Sequence, residues 1–232
     1  MQILTTVFIP PRRQDWRRTI VSLLLLVCGA LTSMAASVPA VAQAGPLAGE
    51  ALVQALRDGG YTMYFRHAAT EWSQSDKVNQ AGDWISCDPA QIRQLSNAGR
   101  QAARAVGESI RSLAIPVGRV LSSPYCRCQE TAKQMDIGLV ESTDDLMNLR
   151  VAEYFGGSEV IVERARRQLG TTPAEGTNTV LVSHGNLARA ATSVYPGEGE
   201  GLVFQPQADG GFVFVGRLSP TQWRQLAESL SP

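Results

Sequence analysis

Apolar and polar positions alternate along the chain as short strands interleaved with amphipathic helices. Leu52, Val53 and Leu56 fall on one face of a helix predicted over 47–58, with Gly59-Gly60 as its stop. The run Tyr61-Thr62-Met63-Tyr64-Phe65 is short, apolar and rich in aromatics, which predicts a buried strand ending at Arg66-His67. Residues 68–94 are polar and irregular, and a loop of that length is functional or disordered. Ala102, Val106, Ile110 and Leu113 recur at helical spacing and predict a helix over 96–113, capped by Ser96 or Asn97. A strand follows at Val117 to Leu121. Ser122-Ser123-Pro124 then turns into a helix reaching about Met135, with Pro124 at its first position. A Ser158-capped helix over 159–169 precedes the strand Thr179 to Val182, which ends at Ser183-His184. A short helix at 187–194, strands at 202–205 and 212–217, and a helix opened by Ser219-Pro220 complete the pattern.

Strands separated by helices of this length predict an α/β fold, a three-layer α/β/α sandwich around a mostly parallel central sheet. Residues 45–232 read as one domain without repeats or linkers.

Residues 1–44 have a different pattern. Arg12, Arg13, Arg17 and Arg18 precede the apolar run Ile20 to Ala30, and small residues lead to Ala42-Gln43-Ala44. A basic region, a short apolar stretch and an A-x-A site describe a secretory signal peptide cleaved after Ala44. The apolar stretch falls short of the roughly 20 residues that span a bilayer. An uncleaved anchor, a twin-arginine signal and a lipoprotein site at Cys28 are weaker alternatives. The expectation is therefore an exported protein, periplasmic or extracellular, with no membrane span after cleavage.

The 232 residues are 44% apolar and 18% charged, the composition of a folded protein, with equal numbers of acidic and basic side chains. Without residues 1–44, which carry four arginines and one aspartate, 17 basic and 20 acidic residues remain. No basic excess points to nucleic acid as a partner. Cys87, Cys126 and Cys128 remain after export to an oxidising compartment, which predicts one disulfide and one free thiol. Positions 126 and 128 are poorly placed to bridge each other, so Cys87 pairs with one of them. Zinc is a weak rival, because C-x-C lacks the usual ligand spacing.

Both histidines of the chain directly follow an apolar strand. In open α/β sheets, ligands bind beyond the carboxyl ends of the strands. Three such ends are reactive here: Arg66-His67, Ser122-Ser123 leading to Arg127, and Ser183-His184. Arginine forks match phosphate oxygens, and the amides that start the 124–135 helix add partial positive charge. An imidazole kept neutral beside such cations can attack phosphorus, while a second one stabilises the transferring group. Metal-dependent hydrolysis would need more ligands than converge here, and a serine triad would need a G-x-S-x-G elbow that is missing.

These residues resemble the histidine phosphatase superfamily in its phosphoglycerate-mutase-like branch, over nearly all of 60–217. Arg66-His67-Ala68 resembles the R-H-G signature, with Ala in place of Gly, and Thr70 and Trp72 match positions just downstream. Leu95-Ser96-x-x-Gly99 is similar to the L-[ST]-x-x-G helix start. Ser122-Ser123-Pro124-x-x-Arg127-x-x-Glu130-Thr131-Ala132 resembles the S-S-x-x-x-R-x-x-[QE]-T-A segment, and Val182-Ser183-His184-Gly185 the second histidine motif. The resemblance implies that His67 is the nucleophile that becomes phosphohistidine. Arg66, Arg127 and His184 form the phosphate pocket, with Thr70 beside them. It implies a small phosphorylated substrate and neither metal nor organic cofactor.

One element departs from the pattern. The family's general acid usually lies in an L-x-E-x-x-x-G stretch, where Leu149-Arg150-Val151 has valine instead of glutamate. Glu153, two residues on, is the substitute acid expected, with Asp145, Glu198 and Glu200 as lesser candidates. Arg164, Arg166 and Arg167 read as a solvated helix face. Asn186, Trp72 and Trp84 are candidate pocket residues. The rival functions are a phosphomutase, a phosphatase acting on protein phosphohistidine, and a non-catalytic binder of phosphorylated ligands.

Overall fold

The computed structural model describes residues 45–230; the signal peptide predicted over 1–44 lies outside them. Six strands form one sheet: β1 (Thr62–Arg66), β2 (Val117–Ser122), β3 (Val140–Ser142), β4 (Asn178–Ser183), β5 (Gly201–Pro206) and β6 (Phe212–Leu218). Their order across the sheet is β3-β2-β4-β1-β5-β6. The first four in that order run parallel to one another, and β5 and β6 are antiparallel additions at the β1 edge. The three parallel strands β2, β4 and β1 finish level with one another, because Arg66 pairs with Ser183 and Ser122 with Val182. Every reactive strand end is thereby delivered to the same edge.

The helices are α1 (Gly49–Asp58), α2 (Asn97–Ser112), α3 (Cys126–Met135), α4 (Ser158–Gly170), α5 (Gly185–Thr192) and α6 (Pro220–Leu230). One packed group joins α2 to α3 and α6, with α1 against α6, and a second joins α4 to α5. The central strand β4 is buried along its whole length, as its unbroken apolar run requires. Helix α2 buries the stripe Gly99, Ala103, Val106, Gly107 and Ile110.

At two helix starts the capping differs from expectation. Pro124 belongs to the turn, and α3 opens at Cys126 behind Tyr125. Ser158 is the first residue of α4, and Gly157 (φ 104°) occupies the cap, a conformation that suits glycine. At α2, Ser96 is the cap and its hydroxyl accepts from Gly99 N–H at 3.0 Å. Gly99 has a further reason to be glycine: a Cβ there would collide with the carbonyl of Ala69, just past His67.

The loop over 68–94 is folded. Thr70 bridges to Leu95, and a 3-10 turn at Asp83–Ile85 seats Trp84 against Tyr154 and Phe155. A disulfide joins Cys87 to Cys126, and Cys128 is free and buried. The bond uses two of the three described cysteines, which removes them from the zinc alternative. It closes a loop with a sequence separation of 39, for which loop-closure entropy assigns roughly 4 kcal/mol. The Cys87→Ala/Cys126→Ala variant is expected to lose about that much stability, read from its urea midpoint. A loss below about 1 kcal/mol would mean that the loop is held without the bond.

Candidate active site

His67 follows β1, and its N–H donates to the Ser183 carbonyl of β4 at 2.8 Å. Its Nδ1 lies 2.9 Å from the Ala68 carbonyl, which only an Nδ1–H can satisfy. The proton is thereby fixed on Nδ1, and Nε2 keeps its lone pair. The segment after His67 is clamped by Thr131 of α3, whose hydroxyl accepts from Ala68 N–H and donates to the Arg127 carbonyl. This threonine ties the two arginine-bearing motifs into one unit.

His184 stands edge-on to His67, with ring centroids 5.6 Å apart. Its tautomer is set by an amide network. Asn148 Oδ1 accepts from Asn186 Nδ2 and from the Arg150 N–H, so Asn148 Nδ2 faces His184 Nδ1 and donates to it at 3.1 Å. His184 Nε2 then carries the proton and donates to Ser123 Oγ at 3.0 Å. Tyr64 holds the backbone of the same residue through its hydroxyl, and Tyr125 packs on the ring.

Between the histidines and the solvent lies a cleft of about 150 Å³. Arg66, His67, Thr70, Arg127 and His184 all line it, as do Trp72 and Asn186. Arg127 is 3% exposed, and its guanidinium lies 4.5 Å over the Tyr125 ring. Five residues that sequence reasoning did not single out also line the cleft: Asp76, Arg93, Asn148, Arg150 and Tyr195. Asp76 bridges two of the arginines, taking Arg127 Nη1 on Oδ1 at 2.8 Å and Arg150 Nη1 on Oδ2 at 2.9 Å. Trp84, by contrast, pins the loop and does not line the cleft.

The acid expected at Glu153 is not in the site. The 3-10 segment Leu149–Phe155 buries Val151 and Ala152, and this turns Glu153 outward into solvent, away from the cleft. Asp145 hydrogen-bonds Gln168, and Glu200 pairs with Arg217. Glu198 does line the cleft, where its Oε1 accepts from Thr70 Oγ at 3.3 Å and Arg66 Nη2 at 3.4 Å. Arg166 pairs with Glu163 at the surface, as a solvated face would.

Burial, and then the charge of Arg127, push His67 down to about 3, with Arg66 and Arg93 adding to the effect. The same two causes in the same order hold His184 well below its ordinary value. Both rings are therefore neutral at pH 6, where free imidazole is largely protonated. Because the folded values lie below the unfolded one, the neutral rings favour folding above about pH 6.5. For His67 that contribution is lost as pH falls from 6.5 toward 3, by up to about 1.4 kcal/mol per pH unit, and His184 adds a loss of the same sign. Only two histidines exist, so ¹⁵N-resolved imidazole shifts read them directly. Neutral shifts at pH 5.5 are expected, with a urea midpoint falling between pH 6.5 and 5. A titration midpoint near 6.5 for either ring would contradict this.

Two imidazoles, one with a free Nε2, facing paired arginines in a cleft form a site for a phosphoryl group. Residues 63–172 match the model of the histidine phosphatase superfamily (branch 1), from β1 through Arg127 to α4. Over that segment the chain carries the pattern of this superfamily. No curated protein matches the sequence. Among solved structures, the protein histidine phosphatase SixA complexed with tungstate is 16% identical, with 69% of this chain and 97% of that chain covered and a TM-score of 0.49. A mycobacterial glucosyl-3-phosphoglycerate phosphatase with VO3 is 16% identical, with 67% and 97% covered and a TM-score of 0.48. A phosphoserine phosphatase mutant from Entamoeba histolytica, in complex with phosphoserine, is 16% identical, with 70% and 98% covered and a TM-score of 0.47.

Proposed function

We propose that the protein is a phosphomonoesterase that works through a phosphohistidine on His67. The observation that carries this reading is the Nδ1–H bond of His67 to the Ala68 carbonyl, which leaves Nε2 as an unprotonated nucleophile at the floor of an arginine-lined cleft. In the first step Nε2 attacks phosphorus and the bond to the leaving oxygen breaks. Arg66 and Arg127 carry the phosphoryl oxygens as charge shifts onto them. His184, neutral and fixed between Ser123 and Asn148, stands edge-on to the nucleophile. Water then attacks phosphorus, the P–N bond breaks, and Nε2 is restored. The residues present supply this chemistry with their own donors.

Export belongs to the same proposal. The basic, apolar and small-residue segments of 1–44 support it, and so does the Cys87–Cys126 disulfide, since such bonds persist in oxidising compartments. Among the described residues, no helix is long and apolar enough to cross a membrane. The substrate expected is a small phosphate monoester outside the cytoplasm. The test is hydrolysis of p-nitrophenyl phosphate by the purified chain after treatment with a chelator. Turnover that survives chelation supports the reading. A folded protein that binds phosphate but turns over no ester in a broad panel would overturn it in favour of a binding module.

A further inference from the structure

The cleft contains two carboxylates among its described lining residues, Asp76 and Glu198, and their surroundings differ. Each oxygen of Asp76 receives an arginine N–H, one from Arg127 and one from Arg150. It is spent on holding guanidinium groups. Glu198 concentrates its partners on one oxygen: Oε1 takes both Thr70 and Arg66, while Oε2 makes no hydrogen bond among the described residues.

The two residues after Glu198 are latched to the segment that carries the nucleophile. Gly199 N–H reaches the carbonyls of Arg66 and His67 at 3.2 and 3.1 Å, and Arg66 N–H donates to the Glu200 carbonyl at 3.2 Å. Gly199 adopts φ 72°, in the left-handed region that favours glycine. Glu200 is turned away by the same turn, with its carboxylate held by Arg217 and the Gly197 N–H. Glu198 lines the cleft and its side chain is partly exposed, at 21%, which puts it within reach of a substrate bound there.

We propose that Glu198 is the proton donor to the leaving group, in place of the glutamate that Val151 replaces. The proposal rests on His67 being the nucleophile. As Nε2 of His67 forms its bond to phosphorus, the electron pair of the breaking P–O bond passes to the leaving oxygen, and Glu198 Oε2 gives that oxygen its proton. In the second step, the Glu198 carboxylate takes a proton from the water that attacks phosphorus and returns to its starting form. The balance is ester plus water to alcohol plus phosphate, with Nε2 and Glu198 both regenerated.

Glu198→Gln keeps the size of the side chain and an oxygen for Thr70 and Arg66, but has no proton to give. Its effect is expected to depend on the leaving group. For an alkyl ester such as glycerol phosphate, kcat/KM should fall by roughly 10²–10⁴-fold, the usual contribution of a proton donor. For 2,4-dinitrophenyl phosphate, whose leaving group needs no proton, kcat/KM should stay within about tenfold of wild type. That ester should also give a burst equal to the enzyme concentration, followed by slowed breakdown. Glu153→Gln is the comparison and should change neither ester.

Equal losses on both esters would overturn the proposal and make Glu198 a positioning residue for Arg66. So would no loss on either. A wild-type protein that hydrolyses 2,4-dinitrophenyl phosphate without placing phosphate on His67 would instead overturn the nucleophile, which separates the two failures.

Discussion

Replacing His67 by alanine is expected to abolish phosphomonoester turnover, with kcat falling by roughly 10⁴–10⁶-fold, the range seen when a covalent nucleophile is removed from a preorganised site. No other described group can take over its place. Ser123 Oγ is engaged with His184 Nε2. Cys128 is buried against the same ring, and burial pushes its thiol up to about 12, which leaves almost no thiolate. His184 has both ring nitrogens committed, to Asn148 and to Ser123. The cleft itself should survive, since the clamp on the Ala68 N–H comes from Thr131 and the clamp on the His67 N–H from Ser183. Inorganic phosphate should therefore still bind to His67→Ala, measured by calorimetry, while steady-state turnover disappears. Turnover within a hundredfold of wild type would mean that phosphorus is attacked by something other than this imidazole.

Arg127→Ala is expected to lower kcat/KM by roughly 10³–10⁵-fold, the scale of arginines that meet charge in phosphoryl transfer. Three consequences follow from one deletion. The buried fork proposed to receive the phosphoryl oxygens is lost, and Asp76 keeps only Arg150. Arg127 is also the largest charged contributor, after burial, to holding both imidazoles low. The imidazole titrations of the variant should therefore move upward together. Arg127→Lys should restore the direction of those titrations but only part of the rate, because an ammonium cannot reproduce the planar fork. A variant with unmoved histidine titrations and kcat/KM within tenfold would place the phosphate elsewhere.

The parts of the site that the sequence disclosed are those at strand ends. Arg66-His67 and Ser183-His184 stand where an apolar run stops, and the parallel register of β1, β2 and β4 brings such stops to one edge. Their positions follow from local pattern plus one rule of α/β folds. Asp76, Arg93 and Arg150 were illegible because they lie in segments without periodicity. What carries Asp76 and Arg93 to the cleft is a loop tied at Cys87–Cys126 and seated by Trp84, neither of which has a local signal. Asn148 could have been suspected only as a cap, which it also is, accepting from the Arg150 N–H.

Glu153 failed for a related reason. Distance along the chain from a motif position points to it, but the 3-10 winding of 149–155 decides which side chains face inward, and it selects Val151 and Ala152. The disulfide partner was open for a similar cause. Residues two apart on a helix differ by about 200° in direction, so Cys126 can face the loop while Cys128 faces the core. Only the packing of α3 against β4 makes that choice. The strand β3, three residues long at the sheet edge, was too short for any pattern to announce.

The most direct test of the account is to trap the intermediate. The purified protein is mixed with 2,4-dinitrophenyl phosphate, quenched within milliseconds in alkali, and digested for mass spectrometry. A phosphoramidate, stable to base and lost in acid, is expected on the peptide that contains His67, at a level that follows the burst of dinitrophenolate. Phosphate found on a serine, or steady turnover with no phosphorylated peptide at any time, would contradict catalysis through His67.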